Sequence, residues 1–165
     1  MDDNQLRHLS AYLEKHGCKL ATAESCTAGL VAAVLGGCPG CGKWLECGFV
    51  TYSPDAKHRL LNVSYEIIET YGLTSEMVAR EMALGALHHS NANIAISNTG
   101  VAGSENGDDG TPAGTLCFAW GFRNDGGILM HSETKLYHNE RNEIREAAAD
   151  YSLSRVIYYN ELNKK

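Results

Sequence analysis

Apolar residues recur along the chain at spacings that alternate between helix and strand. Helical spacing predicts helices at Gln5–Lys15, Leu30–Leu35, Pro54–Leu61, Ser64–Tyr71, Thr74 or Ser75 to His89, and Asn139–Leu162. Short apolar or alternating runs predict strands at Lys19–Ala23, Trp44–Tyr52, Asn93–Thr99, Thr115–Phe122 and Ile128–Lys135. This order predicts an α/β fold, a mixed sheet flanked by helices on both faces in a single three-layer domain.

Composition and net charge indicate a globular domain and argue against membrane and nucleic-acid partners. The 165 residues fit one domain spanning 1–165, with 44% hydrophobic and 21% charged residues. No apolar run reaches the ~20 residues that cross a bilayer, and the N-terminus is polar and acidic, so we expect a cytoplasmic protein without a membrane partner. The net charge of -6 argues against nucleic acid as a partner.

The stretch Leu20–Gly29 predicts a strand followed by a tight polar turn at the start of a helix. Ser25, Cys26 and Thr27 fall where free backbone amides carry partial positive charge. Such a turn suits a nucleophile, an anion or both. The alternative is that Ser25 or Thr27 only caps the helix.

Tyr52 and Lys57 give Ser25 a chemical context. Tyr52 ends a predicted strand, and Lys57 lies in the first turn of a helix whose start is marked by Ser53 and Pro54. Both should project from the sheet edge that carries Ser25. A partly desolvated lysine near a helix N-terminus has a lowered pKa and can act as base for a serine. Tyr52 would relay or orient the proton, and amides at the helix start would stabilise an oxyanion.

Other motifs support weaker interpretations. The run Gly37–Lys43 has the glycine and lysine spacing of a phosphate-binding loop, but Trp44 replaces the required hydroxyl residue and the run follows a helix, so we interpret it as a connection. Cys38 and Cys41 have redox or zinc spacing without further ligands, and a dithiol role stays open. The loop carboxylates of Glu105, Asp108 and Asp109 are interpreted as solvated, and we expect no metal site.

Several motifs, in order along nearly the whole chain, closely resemble the C-terminal domain family of the competence/damage-inducible protein CinA. The motifs are Thr22–Thr27, Gly48–Ser53 with Ala56 and Lys57, Ser75–Ala83, and Thr99–Gly103. The resemblance implies hydrolysis of nicotinamide mononucleotide to nicotinic acid mononucleotide and ammonia, without cofactor or metal. It implies a catalytic set of Ser25, Tyr52 and Lys57.

The same resemblance implies where a pyridine nucleotide would bind and how the chain would assemble. The implied substrate-binding residues are Thr27, Gly29, Thr99, Gly100, Gly103, Arg141 and Arg145. The phosphate would lie near helix-start amides or the Gly100–Gly103 backbone, with Arg141 and Arg145 as cationic partners. For the two arginines, surface salt bridging is the alternative. We expect a homo-oligomer.

Departures from the family pattern leave a second function open. They are Ala28 in place of glycine, Cys38 and Cys41 in a Pro-Gly-Ser-Ser connector, Asn98, Ser104 in place of proline, and Tyr137–Arg141. The chain is therefore expected to be an amidohydrolase or, alternatively, a non-catalytic nucleotide-binding or protein-interaction paralogue linked to competence or the DNA-damage response.

Overall fold

A computed structural model describes residues 1–164 and contains both helices and strands, as predicted. The elements in chain order are α1 Asp3–Lys15, β1 Leu20–Glu24, α2 Leu30–Gly36, β2 Leu45–Val50, α3 Pro54–Leu61, α4 Tyr65–Tyr71, α5 Glu76–His88, β3 Ile94–Gly100, β4 Thr115–Asn124, β5 Gly127–Leu136, α6 Arg141–Ser154 and α7 Val156–Leu162. None of the helices within this range is long and apolar enough to cross a membrane.

The five strands form one mixed sheet in the order β2-β1-β3-β4-β5. Strand β1 runs parallel to both β2 and β3, whereas β4 and β5 are each antiparallel to the strand before them. The carboxyl ends of β1, β2 and β3 therefore lie at the same sheet edge. In α/β sheets this edge is where loops form ligand sites.

Each face of the sheet has its own apolar core, which confirms the predicted three layers. On one face, Leu13 of α1, Leu35 of α2 and Leu153 of α6 join Phe118 and Trp120 of β4. On the other face, residues of α5 such as Met82 and Leu87 join Ala21 of β1 and Ala95 of β3. The small strand residues on the second face allow α5 to pack close to the sheet.

One predicted boundary near the carboxyl edge of the parallel strands differs from the structure, and one predicted connection is confirmed. Strand β2 ends at Val50, so Tyr52 lies in the connection to α3 and not at the end of a strand. The run after α2 contains only a short 3-10 turn, Cys41–Lys43, before β2 begins. Its interpretation as a connection between a helix and a strand is confirmed.

The single predicted helix Asn139–Leu162 is wrong, because the structure contains α6 and α7 with Arg155 between them. Side chains take two carbonyls that a continuous helix would use. The Trp120 indole donates to the Ser152 carbonyl at 2.7 Å, and the Ser154 hydroxyl donates to the Tyr151 carbonyl at 2.9 Å. These side-chain donors lie at the break between the two helices, where the Arg155 amide bonds the Leu153 carbonyl and not the carbonyl four residues before it.

Candidate active site

Two successive residues with positive φ turn the chain sharply between β1 and α2. Ala28 has φ 51° and Gly29, the N-cap of α2, has φ 93°. The left-handed region is strained for alanine, and glycine adopts it freely. The bend leaves Ser25 at the end of β1, with its amide donating to the Asn98 carbonyl at 3.1 Å and only 6% of its surface exposed.

Glu24 occupies the amides at the start of α2. Its buried carboxylate accepts hydrogen bonds from the amides of Gly29 at 3.0 Å, Val31 at 3.0 Å and Ala32 at 2.9 Å. This arrangement neutralises the positive end of the helix. In this structure these amides are therefore already paired with Glu24, and the expectation that they bind an oxyanion or phosphate has no free donor among the three to support it. The alternative that Ser25 or Thr27 caps the helix is wrong, because the N-cap residue of α2 is Gly29.

Lys57 reaches the Ser25 turn from the start of α3. The helix begins as predicted, with the Ser53 hydroxyl accepting from the Ala56 amide at 3.1 Å. The Lys57 side chain is fully buried, and its Nζ lies 2.8 Å from Ser25 Oγ. Nζ also contacts the carbonyls of Thr51 at 2.7 Å and Tyr52 at 3.1 Å.

These contacts orient the Lys57 amine when it is neutral. Carbonyl oxygens can only accept, so the two hydrogens of a neutral amine are directed to Thr51 and Tyr52. The nitrogen lone pair then faces Ser25 Oγ, from which it can accept the hydroxyl proton. Ser25 and Lys57 thus have the geometry of a nucleophile and its base.

Burial increases the fraction of Lys57 that is in the neutral amine form near neutral pH. Desolvation by burial lowers the pKa of Lys57 to about 8, with a smaller opposing electrostatic effect from the neighbouring Cys26. Within residues 1–164, no carboxylate forms a salt bridge with Lys57. Because no acidic partner holds the proton, the lowered pKa follows directly from the buried position.

Tyr52 lies between the Ser25–Lys57 pair and a cavity, because its carbonyl contacts Lys57 and its side chain lines the cavity. Its carbonyl bonds Lys57, whereas its hydroxyl accepts from Arg141 Nη2 at 3.0 Å and makes no hydrogen bond with Ser25 or Lys57 in the described structure. The predicted proton relay through the Tyr52 hydroxyl therefore has no supporting contact. The exposed ring instead forms one wall of the cavity.

The cavity beside Tyr52 measures about 460 Å³ and contains three of the predicted binding residues. Its lining comprises Tyr52, Gly100, Val101, Ala102, Gly103, Ser104, Glu105, Glu140 and Arg141. A Cβ on Gly103 would lie 3.6 Å from Arg141 Nη1, so the loop backbone runs close to the guanidinium. Gly100, Gly103 and Arg141 thus lie together, whereas Ser25 does not line the cavity.

The structure places the other predicted binding residues in the scaffold of the turn. Thr27 is fully buried, and its hydroxyl contacts Glu24 at 2.7 Å and Asn98 Oδ1 at 3.0 Å. Arg145 donates to the Thr27 carbonyl at 3.0 Å, which ties α6 to the turn. Thr99 is buried and donates to the Leu73 carbonyl at 3.0 Å. With Gly29 as N-cap, none of these four lines the cavity.

Sequence reasoning missed Glu24 and underestimated Asn98. The backbone carbonyl of Asn98 accepts a hydrogen bond from the Ser25 amide. The side-chain oxygen Oδ1 of Asn98 accepts from Cys26 Sγ at 3.4 Å and from the Thr27 hydroxyl. The available signal for Glu24 was a charged residue at the end of a buried strand, directly before a helix start. A buried carboxylate in that position needs amide partners, and the helix supplies them.

Comparison with known proteins shows the family of the chain. The family model described as CinA C-terminal domain matches residues 3–159. The chain belongs to the CinA C-terminal domain family. Within the family it is similar to the nicotinamide-nucleotide amidohydrolase PncC of Enterobacter agglomerans, with 39% identity over 161 residues, or 95% of this chain and 96% of that protein. The PncC of Escherichia coli K12 is 38% identical over 157 residues, 93% of each chain.

Other CinA-family relatives differ in length but share the fold. A putative competence-damage inducible protein of Symbiobacterium thermophilum is 43% identical over 152 residues, and the match spans 89% of this chain but 36% of that longer protein. The crystal structure of competence/damage inducible protein CihA from Agrobacterium tumefaciens superposes with a TM-score of 0.86 at 36% identity, covering 95% of this chain and 94% of that one. The mixed sheet and its helical layers are thus those of the CinA superfamily.

Proposed function

We propose that this chain is an amidohydrolase that converts nicotinamide mononucleotide and water to nicotinic acid mononucleotide and ammonia. Full-length similarity to proteins named nicotinamide-nucleotide amidohydrolase supports this substrate. The observation that carries the proposal is the 2.8 Å contact between Lys57 Nζ and Ser25 Oγ, with Lys57 buried and its pKa lowered to about 8. A buried lysine beside a serine hydroxyl is suited to activate it as a nucleophile.

The reaction proceeds in two steps through an ester on Ser25. Ser25 Oγ attacks the carboxamide carbon while its proton passes to Nζ of Lys57. Lys57 then gives that proton to the amide nitrogen, the carbon–nitrogen bond breaks, and ammonia leaves. In the second step water attacks the ester carbon and gives one proton to Lys57, which passes it to Ser25 Oγ as the ester bond breaks; the carboxylic acid product is released and loses its remaining proton to solvent.

The cavity next to Tyr52 is the proposed site for the ribose and phosphate. Arg141 is the cation among its lining residues, and a guanidinium pairs well with phosphate oxygens. Gly103 lets the loop backbone approach the ligand beside Arg141, whereas the missing side chain of Gly100 lets this part of the loop pack closely on the Thr115 carbonyl of β4. Binding would draw the Arg141 guanidinium from the Tyr52 hydroxyl toward the phosphate, so the cavity and the Ser25–Lys57 pair would act on opposite ends of one substrate.

One observation favours the second candidate, a non-catalytic nucleotide-binding paralogue. Ser25 is 6% exposed and does not line the cavity, so a nucleotide could occupy the cavity without reaching the serine. This candidate predicts saturable binding of nicotinamide mononucleotide without ammonia release. The two candidates therefore share a ligand site and differ in turnover.

Product formation and calorimetry on the same preparation separate the candidates. Wild-type protein is incubated with nicotinamide mononucleotide, nicotinamide riboside and nicotinamide, and ammonia and the carboxylate product are quantified. The amidohydrolase predicts turnover of the mononucleotide well above that of the two compounds lacking phosphate. Binding by calorimetry without product would support the paralogue, and absence of both binding and product would contradict both candidates.

A further inference from the structure

Cys38 and Cys41 bracket a tight turn in the connection from α2 to β2. The Cys41 amide donates to the Cys38 carbonyl at 3.1 Å, and Gly40 has φ 82° and ψ 6°. With Pro39 at the second position, these angles define a type II β-turn. The end residues of such a turn have Cα atoms within about 7 Å, and disulfides span Cα separations of roughly 4.4 to 6.8 Å. The turn therefore brings the two cysteines to bridging distance.

The two thiols differ in access and have no strong competing partner. Cys38 is 5% exposed and packs in the apolar core with Leu35 and Trp44, whereas Cys41 is partly exposed. Among the described residues their sulfurs make only long contacts to carbonyls, Cys38 to Pro39 at 3.9 Å and Cys41 to Gly36 at 3.7 Å. A small reagent would thus meet Cys41 first, and Cys38 would react from within the turn.

We propose that Cys38 and Cys41 form a reversible disulfide in exchange with small-molecule disulfides such as oxidised glutathione. The Cys41 thiolate attacks one sulfur of the glutathione disulfide, the sulfur–sulfur bond breaks, and one glutathione thiolate leaves. The Cys38 thiolate then attacks the Cys41 sulfur of the mixed disulfide and expels the second glutathione. The protein loses two electrons and two protons, and two glutathione thiols are formed.

The position of the pair suits a stable disulfide more than a rapid exchange catalyst. Catalytic dithiols commonly use the positive end of a helix to stabilise the thiolate. Here the pair follows the carboxyl end of α2, where the dipole has the opposite sign. The disulfide would close a ring of four residues between α2 and β2, at the far end of the helix that begins beside Ser25.

The test uses the full chain and does not depend on enzymatic activity. Protein is incubated in glutathione buffers from fully reduced to fully oxidised, quenched in acid, alkylated and analysed by intact mass and peptide mapping. The expected result is loss of two hydrogen atoms in oxidising buffer, a peptide cross-linked through Cys38 and Cys41, and full reversal by dithiothreitol. The Cys41→Ser variant should show no such loss.

Cys47→Ser is the matched control, because Cys47 is also partly exposed but lies in β2. It should retain the mass loss of the wild-type protein. If Cys38→Ser compromises folding, the more exposed Cys41→Ser variant still decides the outcome. A glutathione adduct that persists on Cys41 without cross-linking, a cross-link through another cysteine, or no change in mass in oxidising buffer would each overturn the proposal.

Discussion

Replacing Lys57 with methionine removes a buried amine whose protonation opposes folding. Burial lowers the pKa of Lys57 from 10.5 to about 8 in the folded chain, which corresponds to roughly 3 kcal/mol. Below pH 8 the amine is protonated in both states, and folding bears this full penalty. Between the two pKa values only the unfolded chain is protonated, so the penalty falls as pH rises and disappears above the unfolded value.

Urea unfolding of wild type and Lys57→Met at pH 7 and pH 10 measures this effect. The wild-type free energy of unfolding should rise relative to that of the variant by about 2 to 3 kcal/mol over this interval. Subtracting the variant removes the contribution of tyrosines and other groups that titrate in both proteins. Lys15→Met, which removes an exposed lysine of α1, controls for the loss of one positive charge. Parallel pH dependences of wild type and Lys57→Met would refute the buried-amine argument.

Four further outcomes follow from the contacts of the site. Glu24→Gln should lower the free energy of unfolding by roughly 2 to 4 kcal/mol, because the side-chain amide opposes the helix-start amides; an unchanged urea midpoint would contradict this. Ala28→Gly should raise stability by up to about 1 kcal/mol by relieving the left-handed strain of φ 51°, and a lowered melting temperature would be inconsistent with that conformation. Arg141→Ala should raise KM for nicotinamide mononucleotide with little change in the free energy of unfolding. Arg145→Ala should lower the free energy of unfolding, because α6 loses its hydrogen bond to the Thr27 carbonyl; steady-state kinetics and urea unfolding would show the reverse pattern if the assignments are wrong. The kcat/KM of the wild-type enzyme should rise with pH to a plateau with a midpoint near 8, the pKa of Lys57, and a rate that falls over that range would contradict Lys57 as the base.

Periodicity predicted the layers and most elements because each helix and strand buries a regular face. It did not predict the break between α6 and α7, where Trp120 of β4 donates to the Ser152 carbonyl from across the core. Such a contact joins residues 32 positions apart and leaves no local trace in the helical pattern. Periodicity also did not predict the end of β2 at Val50. Aromatic Tyr52 continues the sequence pattern of a strand, but the pairing of β2 with β1 ends before it.

The Ser25–Lys57 pair was predictable because topology brings the ends of parallel strands to one edge, where both residues lie. The pairing of the helix-start amides with Glu24 was not predictable from spacing, since it depends on where the Glu24 carboxylate lies relative to the amides of Val31 and Ala32. The scaffold roles of Thr27 and Arg145 depend equally on contacts between distant elements. Homo-oligomer formation stays a prediction.

Ammonia release from nicotinamide mononucleotide by wild type, Ser25→Ala and Lys57→Ala tests the proposed chemistry most directly. Circular dichroism and gel filtration on each protein verify that the variants fold. The proposed mechanism predicts turnover by the wild type and a loss of at least about 1,000-fold in kcat for both variants, because nucleophile and base act as a unit. A folded Ser25→Ala variant that releases ammonia at the wild-type rate would contradict it.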